Sequence, residues 1–220
     1  MPSLRSFDER CGVSHALEFV GERWALLVVR ELLLGPLRFS DLLAALEGVS
    51  TNVLTRRLSE LAAGGVVHHR QLPRPSGARV YELTERGRQL EAVLIALGGW
   101  GRGSAQFPKR GRLGPSSLAL SLRATFQSAR AARDSGIINL RFSAADGFQM
   151  RPSARLLEVR RGEAEDAVAT LEGAPELISA IIHEGRELEP ALKSGRLKFH
   201  GDAAVARAFL GWFKADESIV

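Results

Sequence analysis

Cysteine is nearly absent from this chain. Cys11 is the one example in 220 residues, which excludes an intrachain disulfide framework and any zinc site built on paired thiolates. That usage fits a reducing cytoplasm. Long apolar runs are missing as well. None approaches the ~20 residues that a membrane-crossing helix needs, so no membrane partner is expected. The opening Met1-Pro2-Ser3-Leu4-Arg5-Ser6-Phe7-Asp8 has no signal-peptide core. The closing Glu217-Ser218-Ile219-Val220 matches no sorting tail. Aromatic residues make up only 6%, too few for an unusual aromatic cage. What remains is an ordinary globular balance of 45% hydrophobic and 25% charged residues. The length suits two domains of ~100 residues, each able to bury a core.

Catalytic signatures are equally scarce. The five histidines are His15, His68, His69, His183 and His200, and no two are spaced i, i+4 as in a helical metal site. There is no G-x-S-x-G elbow, no P-loop and no G-x-G-x-x-G after a strand. Glu163, Glu165 and Asp166 read as a solvated loop. No enzyme, cofactor or metal is expected.

Charge is mildly positive, 30 Lys+Arg against 25 Asp+Glu. One stretch concentrates it. From Arg102 to Arg133 there are seven basic residues and no acid, a run that attracts polyanions or forms a solvated linker and helix face.

Breaker residues divide the chain. Gly98-Gly99-Trp100-Gly101-Arg102-Gly103 and the following Pro- and Gly-containing segment suit a linker. The expected layout is a first domain over 8–101, a basic linker over 102–115 and a second domain over 116–214. The first half predicts helices over 13–20, 22–34, 41–46 and 51–63. Gly35-Pro36 ends the second, Ser40 caps the third, and Ser50 caps the fourth, which Gly64-Gly65 stops. Strands follow at 66–72 and 80–83 around a Pro-Arg-Pro-Ser-Gly tip, then a long helix from Thr84 to about Leu97. Short helices, a two-stranded ribbon and a closing helix describe a winged helix-turn-helix.

The helix over 51–63 is the candidate recognition helix. At 100° per residue, Leu54, Leu58 and Leu61 fall within about 60° of one another and form its buried stripe. Asn52, Arg56, Ser59 and Ala63 point the other way, flanked by Thr51, Thr55 and Glu60. Asn and Arg make bidentate contacts to adenine and guanine edges. The N-terminus at Ser50 offers backbone N–H groups to a phosphate. Arg74 and Arg79 sit by the wing tip, and Arg38 with Ser40 precedes or opens the third helix; all are candidate phosphate or groove contacts. Arg57 lies nearer the stripe, as a structural residue or a phosphate contact.

Several spaced motifs agree in order with one family. Cys11-Gly12-Val13, Gly21-Glu22-Arg23-Trp24-Ala25-Leu26-Leu27-Val28-Val29-Arg30-Glu31-Leu32, Arg38-Phe39-Ser40-Asp41-Leu42, Ser50-Thr51-Asn52-Val53-Leu54-Thr55-Arg56-Arg57-Leu58, Tyr81-Glu82-Leu83-Thr84 and Gly87 resemble the HxlR family of MarR-like winged-helix regulators. The resemblance covers residues 8–101. It implies a homodimer on double-stranded operator DNA, joined through the first and last helices, around 13–20 and 90–100. A two-fold dimer sets its recognition helices about one DNA turn, ~34 Å, apart. Some members use a cysteine near the N-terminus as a redox or electrophile sensor. Cys11 matches that place, and also reads as a small buried residue.

The second half predicts a helix from Ser116 or Ser117 to about Asp134. Strands are expected at 137–142, 148–151, 156–159, 167–171 and 197–199, with a turn at 145–147. Helices are expected at 175–182, 188–193 and 203–213. This is an α+β layout with helices on one side of a small sheet; the fold class is therefore mainly α plus α+β. Ala191-Leu192-Lys193-Ser194-Gly195-Arg196-Leu197-Lys198-Phe199-His200-Gly201-Asp202 and the helix after it resemble the closing signature of sterol-carrier-protein-like domains. That resemblance implies a cavity for a small hydrophobic ligand. Phe126, Phe142, Phe148, Met150, Ile181, Leu192, Phe199 and Phe209 line such a pocket or fill a core. Three readings follow. One is a DNA-binding regulator with an apolar effector. Another is a lipid-binding or carrier protein whose winged helix only dimerises. In the third, the second domain is a ligand-free partner module.

Overall fold

A computed structural model describes residues 7–108, 111–131, 136–143 and 146–213. Expectations at Lys109, Arg110, Arg133, Asp134, Ala145 and the two chain ends lie outside these residues. The chain divides into two compact units, Met1–Ala96 and Leu97–Val220.

The first unit holds α1 (Gly12–Val20), α2 (Ala25–Leu32), α3 (Phe39–Ala45), α4 (Thr51–Ala63), β1 (Val67–Gln71), β2 (Arg79–Leu83) and α5 (Glu85–Arg88). α6 (Leu90–Arg102) follows and passes the division between the units. The core gathers Val28, Val29, Leu42, Leu54, Leu58 and Leu61, each buried. A fully buried Leu or Val contributes about 1.5–3 kcal/mol relative to exposure. β1 and β2 pair antiparallel from Val67↔Leu83 to Gln71↔Arg79. Leu37 adds a bridge to Tyr81, with reciprocal backbone hydrogen bonds of 3.1 and 2.8 Å.

One junction sets where the ribbon meets the closing helices. Thr84 Oγ1 donates to the Gly65 carbonyl at 2.6 Å and accepts from the Gly87 N–H at 3.0 Å. The Gly87 backbone runs so close to β1 that a Cβ there would lie 2.1 Å from the Val66 carbonyl oxygen.

Several boundaries differ from expectation. α2 begins at Ala25, not Glu22, because Trp24 takes a left-handed φ of 79°. The long helix from Thr84 breaks at Gln89 into α5 and α6. α6 then continues through Gly98-Gly99-Trp100-Gly101, where glycine density predicted a linker. Each helical glycine costs about 1 kcal/mol, yet a ladder nucleated over Leu90–Leu97 extends by one hydrogen bond per residue.

The second unit carries α7 (Pro115–Thr125), β3 (Ile138–Arg141), β4 (Gly147–Pro152), β5 (Leu157–Arg161), β6 (Ala169–Gly173), α8 (Pro175–His183), α9 (Leu188–Lys193), β7 (Leu197–Gly201) and α10 (Ala203–Leu210). The sheet order is β5-β4-β3-β6-β7. β3 and β6 run parallel, and the other neighbours are antiparallel. Ile138, Leu140, Phe148, Met150 and Leu171 share one face by register and are buried. α7 packs on that side, where Ser116 Oγ accepts from Arg161 at 2.8 Å.

The connection from β5 to β6 crosses the opposite face. Asn139, 3% exposed, holds it at both ends of one residue. Its Oδ1 accepts from the Ala164 N–H and its Nδ2 donates to the Ala164 carbonyl, both at 3.0 Å. Arg141 Nε donates to Glu163 at 2.7 Å. This hydrogen-bonded pairing with Arg141 holds the Glu163 carboxyl below its ordinary range. So Glu163 is an ion-paired member of the crossing segment, and β6 starts two residues later than the expected Ala167.

Three further expectations are corrected. α7 is opened by Gly114 with Pro115 in its first turn, not by Ser116 or Ser117. It ends at Thr125, because Phe126 turns extended to bridge Phe213, and the Gln127 N–H donates to the Trp212 carbonyl at 2.8 Å. The same bridge ends α10 at Leu210, short of Phe213. Among the described residues, no helix is long and apolar enough to cross a membrane.

Candidate nucleic-acid interface

α4 separates its faces cleanly. Leu54, Leu58 and Leu61 are at most 2% exposed. Thr51, Asn52, Thr55, Arg56 and Ser59 are exposed. The start and stop fall where sequence placed them: Ser50 Oγ accepts from the Val53 N–H at 3.4 Å, and Gly64 caps the end. Thr55 Oγ1 donates to the Thr51 carbonyl at 2.8 Å, which fixes that hydroxyl along the helix.

The two neighbouring arginines have different surroundings. Arg56 keeps 65% of its side chain exposed while its Nε donates to Glu60 Oε1 at 2.9 Å. That hydrogen bond, more than the charge attraction beside it, raises the Arg56 pKa further. Arg57 has 6% of its side chain exposed. Its Nη1 lies 2.7 Å from Glu60 Oε2 and 3.5 Å from Glu22 Oε2, in the turn before α2. Arg57 therefore does not stand on the exposed face. It ties α4 to the α1–α2 turn.

Ser40 does not cap α3. Arg38 holds the cap position, and its backbone N–H donates to Asp41 Oδ2 at 3.2 Å. Ser40 lies inside the helix, exposed, donating to Asp41 Oδ1 at 3.2 Å. The Arg38 side chain reaches the ribbon tip, where Nη2 donates to Ser76 Oγ at 3.4 Å. The tip itself is closed by Leu72 N–H to Ala78 carbonyl, 2.8 Å. Arg74 and Arg79 are both exposed there.

Cys11 sits half-buried at the N-cap of α1. Hydrogen bonds from Ser14, its backbone first and then its hydroxyl, and from the Val13 backbone hold the thiol below its ordinary range. In the second unit, Phe148, Met150 and Phe209 are fully enclosed. Phe126, Phe142, Ile181, Leu192 and Phe199 are half-buried. Phe142 meets Phe148 edge-on at 6.0 Å, and Phe209 meets Phe213 at 5.0 Å. An open pocket of about 330 Å³ lies elsewhere, lined by Ala174, Glu176, Leu177, Arg186 and Arg196.

Sequence reasoning left Glu60 at the edge of the site and missed Glu22 and Ser76. The i, i+3 and i, i+4 spacing of Arg57 and Arg56 from Glu60 carried part of that signal. Glu22 and Ser76 are brought in by the fold alone.

A polar helix face over a buried leucine stripe, followed at once by a two-stranded ribbon, defines a winged helix-turn-helix. A model of the HxlR-like helix-turn-helix family matches residues 19–107. Over 87 residues the chain is 39% identical to the uncharacterized HTH-type transcriptional regulator sll1512 of Synechocystis sp., spanning 40% of this chain and 64% of that protein, just under two thirds of its length. It is 38% identical over 85 residues to the uncharacterized HTH-type transcriptional regulator YvaP of Bacillus subtilis, covering 39% of this chain and 79% of the relative. The HTH-type transcriptional regulator YodB of the same species is 33% identical over 85 residues, covering 39% and 76%. This chain belongs to the HxlR-like helix-turn-helix family.

Proposed function

We propose that the protein is a bacterial transcriptional regulator that binds double-stranded operator DNA as a homodimer. The observation that carries this reading is the exposed Asn52/Arg56 face of α4, flanked by Thr51, Thr55 and Ser59 and backed by buried leucines. α4 enters the major groove, with Asn52 and Arg56 on base edges. Ser50, Arg38 and Ser40 face the phosphate backbone, and Arg74 and Arg79 on the wing reach the neighbouring groove or its phosphates. Arg57 supports the helix from behind.

Two apolar stripes support the dimer. Val13 and Leu17 on α1 are 68% and 46% exposed. Val93, Leu97 and Trp100, within about 60° on α6, are 49%, 45% and 80% exposed. Neither helix has a buried residue in the single chain. The 116–214 domain acts as a sterol-carrier-like sensor for a small apolar ligand, controlling the regulator in the cytoplasm. Native mass spectrometry after exposure to a fatty-acid mixture tests this, and persistent absence of adducts sinks the sensor role. Cys11 is the place where an oxidant would act; unchanged oxidant effects on DNA binding in Cys11→Ser would remove that role.

The main test is fluorescence anisotropy on duplexes selected by the protein from a random 30-bp pool, against scrambled competitors at two salt concentrations. The expected discrimination is ~10³ or more, with affinity falling as salt rises. Arg56→Ala loses ~1–3 kcal/mol on selected duplexes. Equal, salt-sensitive binding to every duplex would refute base reading.

A further inference from the structure

We propose that Glu60 is a positioning residue for sequence discrimination: its carboxylate, anchored from behind by Arg57, holds the Arg56 guanidinium in the geometry that reads a base. The proposal rests on the α4 reading above. Four charged groups form a chain from the α1–α2 turn to the exposed face, Glu22, Arg57, Glu60 and Arg56. Glu60 splits its two oxygens, one on each arginine, at 2.9 and 2.7 Å. Only 10% of the Glu60 side chain and 6% of Arg57 are exposed, so this inner pair is packed on both sides. The two ends are open to solvent, Glu22 at 53% and Arg56 at 65%, and of the two only Arg56 stands on the exposed face of α4.

The hydrogen bond to Glu60 uses Nε of Arg56. Both terminal Nη groups therefore remain for the forked contact to guanine O6 and N7. A free arginine has ~2 kcal/mol of rotamer entropy to lose on docking. A guanidinium fixed at Nε loses part of that before DNA arrives, the general advantage of a pre-organised contact. The charge arrangement gives a sign by which this role can be told from a purely structural one. A carboxylate beside DNA repels phosphate, so it weakens indiscriminate binding. A positioning carboxylate strengthens only the correct contact.

The test uses the full chain and the wild-type-selected duplexes, with single-base variants of each. The base pair read by Arg56 is the one at which Arg56→Ala loses discrimination. Glu60→Gln has one acceptor oxygen for two arginines. Glu60→Asp keeps the charge but is one methylene too short to span both. Each is expected to lower discrimination at that base pair at least about threefold, without weakening binding to scrambled duplexes. In an Arg56→Ala background neither has a further effect on discrimination. The proposal is overturned by discrimination kept within about twofold, by an equal loss on every duplex, or by a loss that persists without Arg56. Circular dichroism checks folding, and a Glu60→Asp chain unfolded at 25 °C also overturns it, since Glu60 then serves the fold alone. A pool that never enriches refutes base reading itself, and this proposal with it.

Discussion

Replacing Gly87 by alanine adds one methyl group where the backbone has no space for it. The new Cβ would lie 2.1 Å from the Val66 carbonyl oxygen and 3.1 Å from Leu83 Cδ2. Ordinary contact begins near 3.4 Å, so a backbone must retreat by more than an ångström. The carbonyl cannot swing aside freely, because it accepts the Thr84 N–H at 3.0 Å. Overpacking of this kind costs about 1–3 kcal/mol, offset by at most about 1 kcal/mol of improved helix propensity in a four-residue helix. We expect a net loss of about 1–2 kcal/mol. At ~4–8 °C per kcal/mol for a unit of this size, the melting temperature of the first unit falls by roughly 4–16 °C. Gly98→Ala is the matched control. It lies in α6 with nothing within 4 Å of its would-be Cβ, and gains roughly 0.5–1 kcal/mol from reduced backbone freedom. Scanning calorimetry of the full chain compares the two. A Gly87→Ala melt within 2 °C of wild type, to within about that precision, or a Gly98→Ala loss of equal size, would refute the reasoning.

Two more outcomes are expected. Leu97→Asp with Trp100→Asp places two charges on the exposed α6 stripe; sedimentation should show a monomer, and affinity for selected duplexes should fall with it, whereas an unchanged dimer would remove α6 from the interface. Glu163 has its carboxyl pKa depressed by Arg141, so its stabilising contribution is present above the unfolded carboxylate pKa of ~4.3 and is lost as pH falls through the lower folded value. Glu163→Gln should therefore flatten that part of the second unit's acid denaturation curve, and an identical curve would show the pair contributes nothing.

Local chemistry made α4 legible. Ser50 supplies a cap, Gly64-Gly65 a stop, and the leucine spacing a buried side, all within sixteen residues. The ribbon is readable for a related reason, since a turn-forming Pro-Arg-Pro-Ser-Gly tip divides two short strand-like segments. Features settled by distant contacts were not readable. Nothing near Trp24 announces a left-handed residue at the start of α2. The end of α7 depends on Phe126 meeting Phe213, eighty-seven positions away. Gly98, Gly99 and Gly101 predict a linker yet lie inside α6, because a helix already running tolerates them. In the candidate interface, the exposed face of α4 follows from helical geometry. The division of labour between Arg56 and Arg57 depends on Glu22, which only the folded chain brings near.

The spatial order of the second sheet carries a kinetic consequence. β3 finds β4 through a short hairpin, but its parallel neighbour β6 pairs Ile138 with Ala169, and β7 closes the sheet only at residues 197–201. Pairings so far apart in sequence form slowly, because loop-closure entropy is spent before the contacts repay it. The first unit is built from short helices and a tight hairpin and lies earlier in the chain. During synthesis it can therefore complete its core while the strand that finishes the second sheet is still unmade.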